Sequence, residues 1–102
     1  DYGAYQTEIA KDAPVIEYYG SGSLAPGTVN VADYVKAHDY NGQELAVKLL
    51  KFCDKDGNEL TDQMDQASGT ITFSSAGKYS FTVKAVDSGN RKTTVVIHVP
   101  VM

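Results

Sequence analysis

The chain has no tryptophan, a single cysteine, three prolines, and nine Lys+Arg against thirteen Asp+Glu in 102 residues. Each shortage excludes something. Cys53 has no second cysteine to pair with, so an internal disulfide cannot hold the fold, and no Cys-x-x-Cys zinc motif is present. A formal charge of −4 and a pI near 4.9 leave no basic field for phosphates, which argues against nucleic acid and anionic membrane surfaces as partners. The longest strongly apolar stretch, Val95 to Met102, is interrupted by His98 and Pro100. It falls far short of the ~20 residues a membrane helix needs, so membrane insertion is not expected. No Asn-x-Ser/Thr acceptor follows Asn30, Asn41, Asn58 or Asn90. No amphipathic segment is long enough to specify a helix.

What remains is enough for one core. With 42% hydrophobic residues, a chain of this length buries roughly 60–70% of the surface its unfolded form exposes. Asp1 to Asp12 follow neither a two-residue nor a helical period and read as a leader or linker, so the folded domain is expected over residues 13–102. The chain reads as a piece of a longer polypeptide, and a removed signal peptide is compatible with it.

From Ala13 onward the text is all-β. Tyr79, Phe81, Val83 and Ala85 alternate with Lys78, Ser80, Thr82 and Lys84, the pattern of a strand with one buried and one wet face. After Asp87-Ser88-Gly89-Asn90, the residues Thr93, Val95, Ile97, Val99 and Val101 alternate with Lys92, Thr94, Val96 and His98. Two long antiparallel strands follow, with Pro100 marking the tail of the second as an edge. Upstream, Thr70 to Phe73, Val15 to Tyr19 and Thr28 to Val31 are short strands, and Gly20 to Gly27 is a flexible connection. Asp33-Tyr34-Val35 is expected to turn before a strand around Lys36 to Asp39. Strict alternation breaks at Leu49-Leu50, either at a bulge or in a strand covered on both faces. Asp56-Gly57 suits a type I′ hairpin, in which both central residues take positive φ. The count is about seven strands at spacings near ten residues, the signature of a two-sheet Greek-key sandwich.

The run Ala76-Gly77-Lys78-Tyr79-Ser80-Phe81-Thr82-Val83-Lys84-Ala85-Val86-Asp87-Ser88-Gly89-Asn90, with the Thr/Val-rich strand after it, resembles the last hairpin of bacterial immunoglobulin-like repeats. Such repeats occur in secreted and wall-attached proteins of Gram-positive bacteria. Pro14-Val15-Ile16 is similar to their opening strand and Tyr34-Val35-Lys36-Ala37-His38-Asp39 to their second. The resemblance implies a non-catalytic module of a secreted or cell-surface protein that spaces neighbouring domains, or else one that binds a glycan or a host surface protein. Gly77-x-Tyr79-x-Phe81 also places a tyrosine where sandwich folds return the hydroxyl to a loop backbone. Without tryptophan or a second cysteine, the sheets must be held together by packing alone.

Candidate sites are few. Gly20-Ser21-Gly22-Ser23-Leu24-Ala25 formally matches a dinucleotide fingerprint, but Pro26-Gly27 stands where its helix would run, so no cofactor is expected. Asp54-Lys55-Asp56-Gly57-Asn58-Glu59 fails the spacing of a calcium loop in either register and reads as a hairpin turn. A looser calcium site from Asp33, Asp39 and Asp87 converging at one end of the sandwich is the metal candidate. Two histidines, His38 near a loop and His98 facing outward, with no nucleophile motif beside them, argue against catalysis. Seven tyrosines are the compositional surplus, and Tyr18, Tyr19, Tyr34 and Tyr40 are the candidates for stacking on a sugar or anchoring a protein contact.

Overall fold

Alternation decides where the longest elements form. In the computed structural model, which describes residues 4–6, 13–20 and 22–102, the two period-two runs become β9 (Gly77–Val86) and β10 (Lys92–Val101). They pair antiparallel through ten residue pairs, from Lys92 opposite Val86 to Val101 opposite Gly77. Every second residue from Tyr79 to Ala85 and from Thr93 to Val101 is buried.

The remaining strands are short: β1 (Ala4–Gln6), β2 (Val15–Tyr18), β3 (Gly27–Asn30), β4 (Val35–His38), β5 (Glu44–Leu45), β6 (Lys48–Asp54), β7 (Met64–Asp65) and β8 (Thr70–Phe73). They form three antiparallel sheets, in the orders β1-β10-β9-β6, β2-β4-β5 and β3-β8-β7. The fold is all-β, and its ten strands in three sheets replace the expected seven or so in two. One cause of the split lies at Val31–Asp33, a 3-10 turn between β3 and β4, two residues earlier than the turn expected at Asp33–Val35. Asn30 starts this turn by accepting the Ala32 amide at 2.9 Å, and its own Nδ2 donates to the Ser68 carbonyl. β3 therefore pairs with β8 while β4 pairs with β2. Within β6 the register shifts between Leu49 and Lys51, so the broken alternation there is a bulge.

The inner face of the four-stranded sheet is covered by both small sheets, and one continuous core joins all three. Ile16, Val35 and Ala37 come from one small sheet, Ile71 and Phe73 from the other, and all belong to one buried cluster with Phe81, Val83, Val95 and Ile97. Aromatic rings do much of the joining. Phe52 of β6 lies edge-on to Phe73 of β8 at 5.6 Å and stacked with Tyr79 at 5.4 Å. The Tyr79 hydroxyl donates to the Ser75 carbonyl at 2.9 Å, the return to a loop backbone that its place in the sequence suggests. At the far end, Thr93 Oγ1 donates to the Pro14 carbonyl and ties the start of β10 to the chain before β2.

The outer edge of β10 is covered. β1 pairs with Val95–Ile97, so part of the stretch read as a linker is a strand, and the rest of that stretch lies outside the described residues. Further on, the Leu24 amide donates to the Pro100 carbonyl and the Met102 amide to the Leu24 carbonyl, a parallel bridge at Val101. A strand residue's N–H and C=O point to the same side, so the donor that Pro100 lacks is missing from the side away from β9. The tail of β10 is thus a bridged flank rather than an open edge.

Candidate functional site

Three loops repeat one device. Asp39-Tyr40-Asn41-Gly42-Gln43, Asp54-Lys55-Asp56-Gly57-Asn58 and Asp87-Ser88-Gly89-Asn90-Arg91 each close a hairpin. In each, the aspartate Oδ1 accepts the amides two and four residues on, at 2.8–3.0 Å. The fourth residue, Gly42, Gly57 or Asn90, takes φ between 64° and 87°. Asn90 is the one non-glycine residue with positive φ among those described, so Asp56-Gly57 is not the expected type I′ turn. The Asp54 carboxylate, by gathering the Asp56 and Asn58 amides, selects a loop with a single left-handed position.

This use of the carboxylates bears on the calcium candidates. Asp39 and Asp87 are buried, turned into their own loops, and Asp87 also holds the Arg91 guanidinium at 2.7 Å. Asp33 sits in the turn before β4. Among the described residues, no group of three His, Cys, Asp or Glu is arranged to hold a metal ion. The Asn58 side chain, followed by loop amides, holds the Asp54 carboxyl below its usual pKa. Burial pushes Asp87 the other way, and the Arg91 amide and guanidinium outweigh it, so its carboxyl also lies below the usual range.

The four candidate tyrosines do not form one cluster: Tyr18, Tyr19 and Tyr34 share one end of β2–β4, where the Tyr19 amide donates to the Tyr34 carbonyl at 2.7 Å, and Tyr40 follows the other end. Tyr18 lies edge-on to Phe81 at 6.4 Å and packs on the core, where Gly20, having no side chain, leaves room for its phenol end. Tyr34 also packs on the core. Tyr19 and Tyr40 are 60% and 65% exposed. They follow the C-terminal ends of β2 and β4, which run antiparallel, and so lie at opposite ends of that pair. Tyr19 donates its hydroxyl to Glu17 at 2.8 Å, and this bond to a carboxylate raises its pKa. His38 approaches the same carboxylate at 3.9 Å and bonds the Asp39 carbonyl through Nδ1.

A groove of about 430 Å³ opens instead on the outer face of the four-stranded sheet, lined by Asp54, Lys55, Lys78, Ser80, His98 and Pro100. Register puts Ser80 opposite His98 on one side and opposite Cys53 on the other. A thiol, a hydroxyl and an imidazole therefore share one row. Burial pushes the Cys53 thiol pKa up, which disfavours the nucleophilic thiolate. Comparison with family models, with curated proteins and with solved structures gives no match.

Proposed function

We propose that the chain is an immunoglobulin-like Greek-key sandwich, in which the β2-β4-β5 and β3-β8-β7 sheets make up one layer and β1-β10-β9-β6 the other. In this reading it is a non-catalytic module that spaces or presents neighbouring domains of a larger secreted or cell-surface bacterial protein. The observation that carries the reading is the disposition of the tyrosines. Two of the four are engaged in the core and the exposed two stand at opposite ends of β2–β4, so they offer no shared stacking surface. The continuous core and self-closed loops also suit a rigid body that fixes the distance between its neighbours.

A binding screen of the folded chain against neutral glycans and host surface proteins tests it, with Tyr18, Tyr19, Tyr34 and Tyr40 each changed to alanine. The spacer reading expects no binding. A ligand whose binding disappears in a tyrosine variant that remains folded replaces it with a recognition module.

A further inference from the structure

Charge is distributed unevenly over this acidic chain. Of its nine Lys+Arg, five stand in β6, β9 and β10: Lys48, Lys51, Lys78, Lys84 and Lys92. Of its thirteen Asp+Glu, those strands contain Asp54 alone, at the end of β6. The core residues Leu49, Phe52, Phe81, Val83, Val95 and Ile97 occupy the inward positions, so pleating places the five lysines on the outer face.

Lys48 stands directly opposite Lys84, and Lys51 opposite Thr82, the next outward residue beside Lys84. Like charges directly across a ladder destabilise it. Among the described residues, the ion pairs are Arg91–Asp87 and His38–Glu17, neither of which involves these lysines. The Asp54 carboxylate is turned into its own loop. Glu59, bridged to Cys53, puts a carboxylate on this face at the end away from Lys48 and Lys84, so the repulsion between those two lysines is what a bound anion would relieve. Ser80 and Thr82 place hydroxyls between the cations, and the groove containing Lys55 and Lys78 ends the strip. From Lys78 to Lys84 it runs about 20 Å along β9.

We propose that this outer face binds a linear acidic polysaccharide carrying carboxylates at intervals along an extended chain. Lys48, Lys51, Lys78 and Lys84 make the charge contacts, and Ser80 and Thr82 bond the sugar hydroxyls. A flat, extended strip suits an extended chain of moderate charge density. The net charge of −4 opposes approach to a dense phosphate surface. The outward positions of β9 and β10 carry no Phe or Tyr on which nucleic-acid bases could stack. The inference goes beyond the spacer reading, since a module that spaces its neighbours can also hold a polymer along its side.

The test is calorimetric titration of the intact chain with alginate, a linear polyuronate, at low salt. Binding is expected, weakening about tenfold or more between about 50 and about 200 mM salt. It should be lost in the triple variant Lys48→Gln, Lys51→Gln, Lys84→Gln and retained in Lys36→Gln, whose lysine lies on β4 of another sheet. Melting of the triple variant at or above the parent's Tm, as removal of the Lys48–Lys84 repulsion predicts, shows that lost binding is not lost folding. No binding to alginate, undiminished binding by the triple variant, or tighter binding to duplex DNA or phosphatidylserine vesicles overturns the proposal. Alginate left unbound overturns this inference alone, whereas a neutral glycan held through Tyr19 or Tyr40 overturns the spacer reading alone.

Discussion

The four-stranded sheet and the two small sheets opposite it are built on different terms. β9 and β10 run ten residues each in unbroken register, whereas the strands of the small sheets are two to four residues long. A long ladder specifies itself, because slipping it by one residue would turn every buried side chain to water. The short strands, apart from β4–β5 with its Asp39 loop, hold register through what they cover. The small sheets are therefore products of the core, and the long hairpin is its template.

Perturbing the junction should give the largest effect. Phe52→Ala removes the ring that touches both Phe73 on the small sheet and Tyr79 on the large one, and should cost about 3–5 kcal/mol in urea unfolding. Tyr40→Ala, which removes an exposed ring, should stay within about 0.5 kcal/mol, so a similar loss at both would refute the template picture. Next comes the loop device that closes a hairpin on β6: Gly57→Ala at φ 86° should cost about 1 kcal/mol, while Asn90→Gly at φ 64° should be nearly neutral. Tyr79→Phe keeps the ring and loses the hydroxyl bond to Ser75, for about 1 kcal/mol at thermal unfolding.

The smallest effect is acid dependence. Asp54 and Asp87 have folded pKa values below the ordinary carboxylate value, so their contribution is fully present above about pH 4. It is lost as pH falls through the lower folded values. Melting curves between about pH 5 and about pH 2 should fall less steeply for Asp54→Asn with Asp87→Asn than for the parent chain. Equal slopes would mean that the loop amides do not favour the ionised form.

The long ladder was legible because alternation alone carries it, and so was the outward position of His98. The hydrogen bond of Tyr79 to a loop carbonyl followed from its place at the start of β9. The break at Val31–Asp33 was not legible, because Val31 is buried and β-branched and its neighbours read as strand. What separates β3 from β4 is a side-chain bond from Asn30 to a backbone amide, which no periodicity reports. The aspartates stand out in the sequence as oxygen ligands for a cation, but the residue three places on, glycine or asparagine, is the sign that their partners are loop amides. The lysine face was hidden by the overall charge. The wet side of β9 already held Lys78 and Lys84 without an acid, but the repulsion appears once the bulge in β6 brings Lys48 opposite Lys84.

The three aspartate loops also set an order of events. Each is closed by bonds spanning four residues, so a hairpin can form from local sequence before distant segments meet. The pairings β3–β8 and β1–β10 join segments far apart in the chain and must wait for that closure. Folding should then be gated by loop chemistry at Asp39, Asp54 and Asp87, with the edges of the sheets completed last. Substitutions in these loops should slow refolding, while substitutions in β3 should mainly hasten unfolding.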